Sequence, residues 1–299
     1  MALQIKTFQE KDKDALQGLM CLVEREDDFI FTLESAGLQC AYTAFWDDEL
    51  VGAIIAWKSS MHSNCIYFHM VVNPLYQTLP VQDKLFDKVD SLETRLPLQT
   101  SLWETTIGMT EFLESKGFQV LRKTYMPQLS VRECSSLTAP IITHGKFNTL
   151  REITSDENVL NKLVQLVKYN YEQTHLGNPI TELSISKWKQ LILADDCDLE
   201  GSYVLVDPAG TEIFAYSFIH SSGDRDTLEL GWCGSLEEDS ISFIPQLVLH
   251  QIQYAREHGY EFLEGEFDTI SQYAMQVLRT IPFPPCPAWM TYQKKDEES

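Results

Sequence analysis

Basic side chains are scarce in this chain: 23 Lys and Arg stand against 44 Asp and Glu over 299 residues, a formal net charge of −21. A field of that sign repels phosphate backbones and anionic lipid, which argues against nucleic acid or a membrane surface as partner. It suits a small cationic substrate, although acidity also serves solubility alone. Closely spaced cysteines are missing too. Cys21, Cys40, Cys65, Cys134, Cys197, Cys233 and Cys286 never fall as C-x-x-C, which excludes a zinc knuckle or a paired disulfide framework and leaves reduced thiols. His62, His69 and His220 complete no metal spacing with them, so no metal is expected. The longest apolar stretch, Val51 to Trp57, is far below the roughly 18 residues of a membrane span. The first eight residues carry no apolar signal core, so a cytoplasmic protein is expected. No Gly-x-Ser-x-Gly, Walker-type loop or dinucleotide fingerprint occurs.

What is present occurs twice. The first half opens with a helix carrying Leu16, Leu19, Met20 and Val23 at i, i+3, i+4, i+7, then a short helical region ending near Gly37. Strands Ala41–Trp46 and Leu50–Trp57 flank the acidic turn Asp47-Asp48-Glu49, and a third strand, Ile66–Val72, stops at Asn73-Pro74. A helix with Leu85, Val89 and Leu92 follows, then a strand near Leu98–Trp103, a helix near Met109–Ser115 and a strand over Gln119–Val131. In the second half, Thr154-x-x-Glu157 reads as a capping box ahead of a helix with Val159, Leu163, Leu166 and Asn170 on one face. Trp188, Leu191 and Ile192 mark another helix, and strands Tyr203–Val206, Ile213–His220 and Thr227–Cys233 come next. A helix over Phe243–His258, strand Glu261–Phe267, helix Gln272–Arg279 and strand Ala288–Gln293 complete the series.

The spacing between the halves is steady. Phe45 matches Val206, Trp57 matches Phe218 and Val72 matches Cys233, each 161 residues apart; Phe118 and Phe283 are 165 apart. One offset held through three strands implies two copies of one α/β unit, expected over residues 1–133 and 146–299 with a linker at 134–145. The acidity is uneven: residues 1–143 carry 12 basic and 19 acidic side chains (−7), and residues 144–299 carry 11 and 25 (−14).

The first copy resembles the Gcn5-related N-acetyltransferase (GNAT) family. The resemblance rests on Val72-Asn73-Pro74-Leu75-Tyr76-Gln77, a strand ending in Val-x-Pro-x-Tyr, and on Phe112-Leu113-Glu114-Ser115-Lys116-Gly117-Phe118, a helix ending in Gly-Phe. It covers the chain as two tandem copies. It implies an α/β (α+β) fold with a mixed, mainly antiparallel sheet flanked by helices in each copy. It also implies acetyl-CoA as co-substrate and a small primary amine as acceptor.

On that resemblance Met70, Val71 and Val72 would present backbone groups to the acetyl and pantetheine portions. Gln77, Thr78, Leu79, Pro80, Val81 and Gln82 would meet the diphosphate. Amides at a helix N-terminus favour an anion, and glycines let it approach. Here Pro80 and Gln82 stand at the two glycine positions, and proline removes a donor. In the second copy neither glycine remains and Glu237-Glu238-Asp239 would sit beside the phosphates. Like charges there oppose binding, so the first copy is the expected CoA site. For the base, the acidic position of the third strand is Phe68 in the first copy and Glu229 in the second, with His69 and Glu104 as the first copy's substitutes. The general-acid Tyr is replaced by Leu113 and Leu278. The expectation is an acetyl-CoA-dependent N-acetyltransferase. Its alternative is a degenerate scaffold that binds a ligand or partner without turnover.

Overall fold

The protein is described by a computed structural model over residues 2–23, 28–76, 78–134, 137 and 145–295; Gln77 and most of the expected linker lie outside the described residues. The first half runs β1 (Leu3–Thr7), α1 (Lys13–Leu22), α2 (Asp28–Leu33), β2 (Leu38–Trp46), β3 (Glu49–Trp57), β4 (Ile66–Val72) and α3 (Val81–Asp90). It continues with β5 (Leu98–Trp103), α4 (Ile107–Ser115), β6 (Gln119–Tyr125) and β7 (Gln128–Ser130). The second half begins with β8 (Lys146–Thr149), α5 (Leu150–Ile153), α6 (Glu157–Thr174), α7 (Ile185–Ile192), β9 (Tyr203–Val206) and β10 (Ile213–Ser221). It ends with β11 (Thr227–Ser235), α8 (Ile244–Glu257), β12 (Phe262–Glu264), β13 (Phe267–Asp268), α9 (Gln272–Thr280) and β14 (Ala288–Lys294). The helical stripes read from periodicity face the core: Leu16, Leu19 and Met20 on α1, Leu85 and Val89 on α3, and Val159, Leu163, Leu166 and Asn170 on α6 are all buried. Among the described residues no helix is long and apolar enough to cross a membrane.

Two mixed sheets result, each flanked by helices. The first has the order β1-β2-β3-β4-β5-β14-β6-β13 and the second β7-β12-β11-β10-β9-β8. The copies therefore trade their closing strands. β14, the last strand of the second copy, inserts between β5 and β6, pairing Trp289 with Trp103 and with Thr124. In return β7 pairs antiparallel with β12. The inserted strand is buried on both faces: Met290 and Tyr292 join the core that holds Phe68, Phe86 and Phe118, and Thr291 meets the Ser101 hydroxyl at 3.0 Å. Burying side chains of that size stabilises by about 1.5–3 kcal/mol each.

Two expected strands are broken where the chain changes sheets. Gln119–Val131 divides into β6 and β7 around Met126-Pro127, since proline donates nothing to a ladder. Glu261–Phe267 divides at Gly265, where a Cβ would lie 2.3 Å from the Phe267 ring. Only glycine admits that ring so close; Phe267 itself is buried, packs edge-on against Phe283 and pairs with Tyr125 of β6 through its backbone. The capping box also moves. Thr149 and Glu152 form it, ahead of the short helix α5, while α6 is capped by Asp156, which accepts from the amides of Asn158 and Val159. Thr154 instead donates to the Arg151 carbonyl at 2.6 Å.

A chain ended at Pro287 leaves β5 and β6 without their shared neighbour. It is expected to lose the cooperative thermal transition of the whole molecule in circular dichroism; an unshifted melt would show that β14 is dispensable.

Candidate functional site

The second copy opens where two parallel strands part. β11 and β12 pair only over Thr227–Glu229 and Phe262–Glu264. Beyond that point β11 runs on to Ser235, while the other segment turns at Gly265 and crosses to β6. β11 is also bulged. Between Leu230 and Cys233 it spends one residue more than β10 does between Ile219 and Ser217, which re-aims its side chains. The wedge encloses a cavity of about 380 Å³. Its walls come from β11 (Glu229 to Cys233), α6 (Asn170, Tyr171, Thr174), α8 (Val248) and α9 (Tyr273, Ala274, Val277), with Glu266 and Asp268 beside Arg122 of β6.

Three carboxylates thus face one guanidinium. Arg122 Nη1 lies 3.1 Å from Asp268 Oδ2 and 3.5 Å from His175 Nε2, and Asp268 also accepts from the Thr124 hydroxyl. His175 is stacked on Tyr171 with ring centroids 3.9 Å apart. Burial and the Arg122 charge push its pKa down, although the Tyr171 carbonyl opposes this, so the ring is neutral at physiological pH. The Tyr171 hydroxyl is reached from the first copy by His62 Nε2 at 3.0 Å.

Glu266 differs from the other carboxylates. Its side chain is exposed, yet protein gathers around the carboxyl, and that desolvation, then the Asp268 and Glu229 charges, raises its pKa; Arg122 pulls the other way. A carboxylate raised in this manner is a stronger base near neutrality. Tyr273, second on α9, donates its hydroxyl to Asn170 Oδ1 at 3.1 Å, and burial raises its pKa, so it keeps its proton. Cys233 lines the same cavity, but burial pushes its thiol up to about 12, which disqualifies it as a thiolate nucleophile.

Of the residues expected from sequence, Glu229 lines this cavity. His69 and Glu104 do not. His69 lies on β4 opposite Ile55, edge-on to Trp57 at 4.8 Å. Glu104 is engaged with the exchanged strand: its Oε1 accepts from the Ala288 amide at 2.9 Å, and Lys123 stands 3.9 Å from its Oε2. Met70, Val71 and Val72 lie on a β4 that pairs with β3 without a bulge, from Gly52↔Val72 to Trp57↔Tyr67. In the first copy β4 and β5 pair only at Ile66 and Tyr67, and the next residue, Phe68, is buried among rings. Phe68, Phe86 and Phe118 meet at centroid separations of 5.7–6.0 Å, and Phe86 closes edge-on against Phe112 of α4 at 5.9 Å. In the following loop the Leu79 amide is taken by the Tyr76 carbonyl and the Val81 amide by the Leu79 carbonyl, while Pro80 has none to offer. That leaves Thr78 and Gln82 among the described loop amides.

Glu266, Asp268, Arg122, His175 and Tyr273 went unread in the sequence. One signal was available: offsets of 161 to 165 carry Glu104 to positions 265–269, which include Glu266 and Asp268.

No family model matches the chain, and no curated protein does. Solved structures do. A GCN5-related N-acetyltransferase from Sphaerobacter thermophilus superposes with a TM-score of 0.64 at 11% identity, covering 98% of this chain and 95% of that one. A tandem GNAT protein from the clavulanic acid biosynthesis pathway, solved without acetyl-CoA, gives 0.60 at 12% identity over 100% of both chains. A GNAT-family acetyltransferase from Colwellia psychrerythraea gives 0.54 at 12% identity over 98% of this chain and 100% of that one. The fold is the tandem GNAT fold.

The family resemblance implies a thioester arm beside the third strand of a copy, which in the second copy is the edge where β11 and β12 part. That end fits: past Glu229 the backbone of Leu230 to Trp232 has lost β12 as partner and borders the cavity. The diphosphate end does not. The turn into α8 carries exposed Glu237, Glu238 and Asp239, and the Ser240 amide is bonded to the Glu237 carbonyl.

The Glu266 environment can be read directly by NMR titration of its side-chain carboxyl. Its midpoint is expected above that of an ordinary carboxylate. Asp268→Asn removes a repelling charge and lowers it; Arg122→Gln removes an attracting one and raises it.

Proposed function

We propose that this GNAT-fold chain is an acetyl-CoA-dependent acetyltransferase acting on a small, cationic primary amine, with the chemistry in the second copy. The observation that supports it most is the raised Glu266 carboxyl at the point where β11 and β12 part, facing a cavity with three carboxylates and one guanidinium. An ammonium group is drawn by that balance of charge. Glu266 then takes its proton, directly or through water, and the freed amine is the nucleophile. Glu229 and Asp268 keep the local potential negative, and Arg122 holds Asp268 in place by a bond of 3.1 Å. Acetyl-CoA, when bound, supplies the activated acyl group. The Tyr273 hydroxyl on the α9 wall gives its one hydrogen to Asn170 Oδ1, so the departing thiolate takes its proton from solvent or from the Glu266 carboxyl that has just received one.

An open, bulged wedge with a tuned carboxylate is also what favours turnover over a degenerate scaffold. The first copy reads as the structural half, with the buried ring of Phe68 standing where β4 and β5 part. The acidic turn beside α8 implies that affinity for the nucleotide end is modest and improves with salt, which screens the exposed carboxylates.

Thiol release from acetyl-CoA, followed against a panel of primary amines, tests the reading. Saturable release is expected, with kcat/KM rising with pH through the Glu266 titration because the base must be ionised. Glu266→Gln is expected to lower kcat/KM by about 10²–10⁴ and to flatten that rise. Amine-dependent release unaffected by Glu266→Gln would remove the base from the mechanism.

A further inference from the structure

A second cavity of about 290 Å³ adjoins the first. The two share Arg122, Thr174 and His175 as wall residues, but the second has no wall on α8 or α9. It therefore extends from the first cavity away from the side where a GNAT thioester arm would enter. Its walls come from both copies: Gln99 of β5 and Leu121 of β6 on one side, residues 173–178 and Ile270 on the other.

The lining is apolar where a ligand would rest. Leu176 is 70% exposed and Ile270 39% exposed, although both border the cavity. Exposed aliphatic side chains on separate segments around one concavity are a binding feature rather than scattered surface. Several of the polar groups behind them are already engaged. Gln99 Oε1 accepts from Gln293 at 3.1 Å, and Asn178 Nδ2 donates to the Tyr67 hydroxyl at 2.6 Å. Arg122 bonds Asp268 and His175 through Nη1, while its buried Nε has no hydrogen-bond partner among the described residues. The wall is also closely built: a Cβ on Gly177 would come within 2.6 Å of Leu121 Cδ1, so a larger residue there would displace the Leu121 side chain.

We propose that this second cavity is the tail subsite of the acceptor, which is a primary amine bearing an aryl or alkyl tail seated between Leu121, Leu176 and Ile270. The inference rests on the acyl-transfer reading for the place of the amine, at Glu266. At about 30 Å³ per water-sized atom, the 290 Å³ holds a tail of about ten heavy atoms. Charged tails are disfavoured, because the aliphatic walls Leu121, Leu176 and Ile270 offer a charge no partner and the unpaired Nε of Arg122 is itself buried.

The test compares 4-phenylbutylamine, ethylamine and 6-aminohexanoate by NMR titration and by acetylation, using the full chain and the double variant Leu176→Asn, Ile270→Asn. Both positions are solvent-exposed, and an unchanged melting curve verifies the fold. The phenyl amine is expected to bind at least tenfold more tightly than either other amine, and the double variant to erase that margin while leaving ethylamine unchanged. A margin that is absent, that survives in the double variant, or that belongs to 6-aminohexanoate overturns the tail subsite. The two readings fail separately. Equal acetylation and equal binding of the phenyl and ethyl amines would sink the tail subsite and keep acyl transfer. Tight binding of the phenyl amine that the double variant releases, without thiol release, would keep the subsite and sink acyl transfer.

Discussion

The exchange of closing strands is the constraint on which the rest depends. Because β14 lies between β5 and β6, the first sheet is incomplete without the last residues of the second copy, and because β7 lies beside β12 the converse holds. Neither half can drift from the other without exposing unpaired ladders on strands whose faces are buried. The same crossing carries Asp268 to β6, where Arg122 and Thr124 receive it, 146 and 144 residues away in sequence. The candidate site is thus assembled by the swap: its cationic partner belongs to the first copy and its carboxylates to the second.

Duplication has left the two units unequal. β4 is a straight strand, and where it parts from β5 the buried ring of Phe68 packs against Phe86 and Phe118, an arrangement that contributes stability through close packing. β11 is bulged, has lost its parallel neighbour after Glu229 and borders a cavity. One copy thereby supplies core and edge contacts for the other. Glu104 illustrates the division: its carboxylate, expected from sequence as a substitute base, holds the Ala288 amide of the inserted strand.

Electrostatics follows from the same geometry. An excess of carboxylates attracts a cation wherever they gather, but it makes a base only where solvent is displaced. Glu229 lies at the cavity and acts on its neighbours, adding to the desolvation that raises both Glu264 and Glu266. His175 is held neutral by its burial against Arg122 and joins the partition between the two cavities.

Much of the fold was legible from local chemistry. The buried stripes on α1, α3 and α6, the hairpin at Asp47–Glu49 and the repeat at 161 residues are properties of short windows or of one window compared with another. The strand exchange was not legible, because β7 and β14 carry the alternation of any closing strand and either sheet satisfies it. Only the three-dimensional crossing at Pro127 and Gly265 chose the partner. Glu229 was visible as an acidic residue on an alternating strand. Glu266 was not, since its raised pKa comes from Asp268, Glu229 and the protein crowded around it rather than from its neighbours in sequence. The sequence by itself determined two α/β copies, their helices and most of their strands, since periodicity and turn chemistry act over a few residues. Tertiary structure decided which strands complete which sheet and which copy keeps an open wedge, and it brought Arg122 to Asp268. Hydrogen-bond pairing and desolvation are set by what arrives from far along the chain.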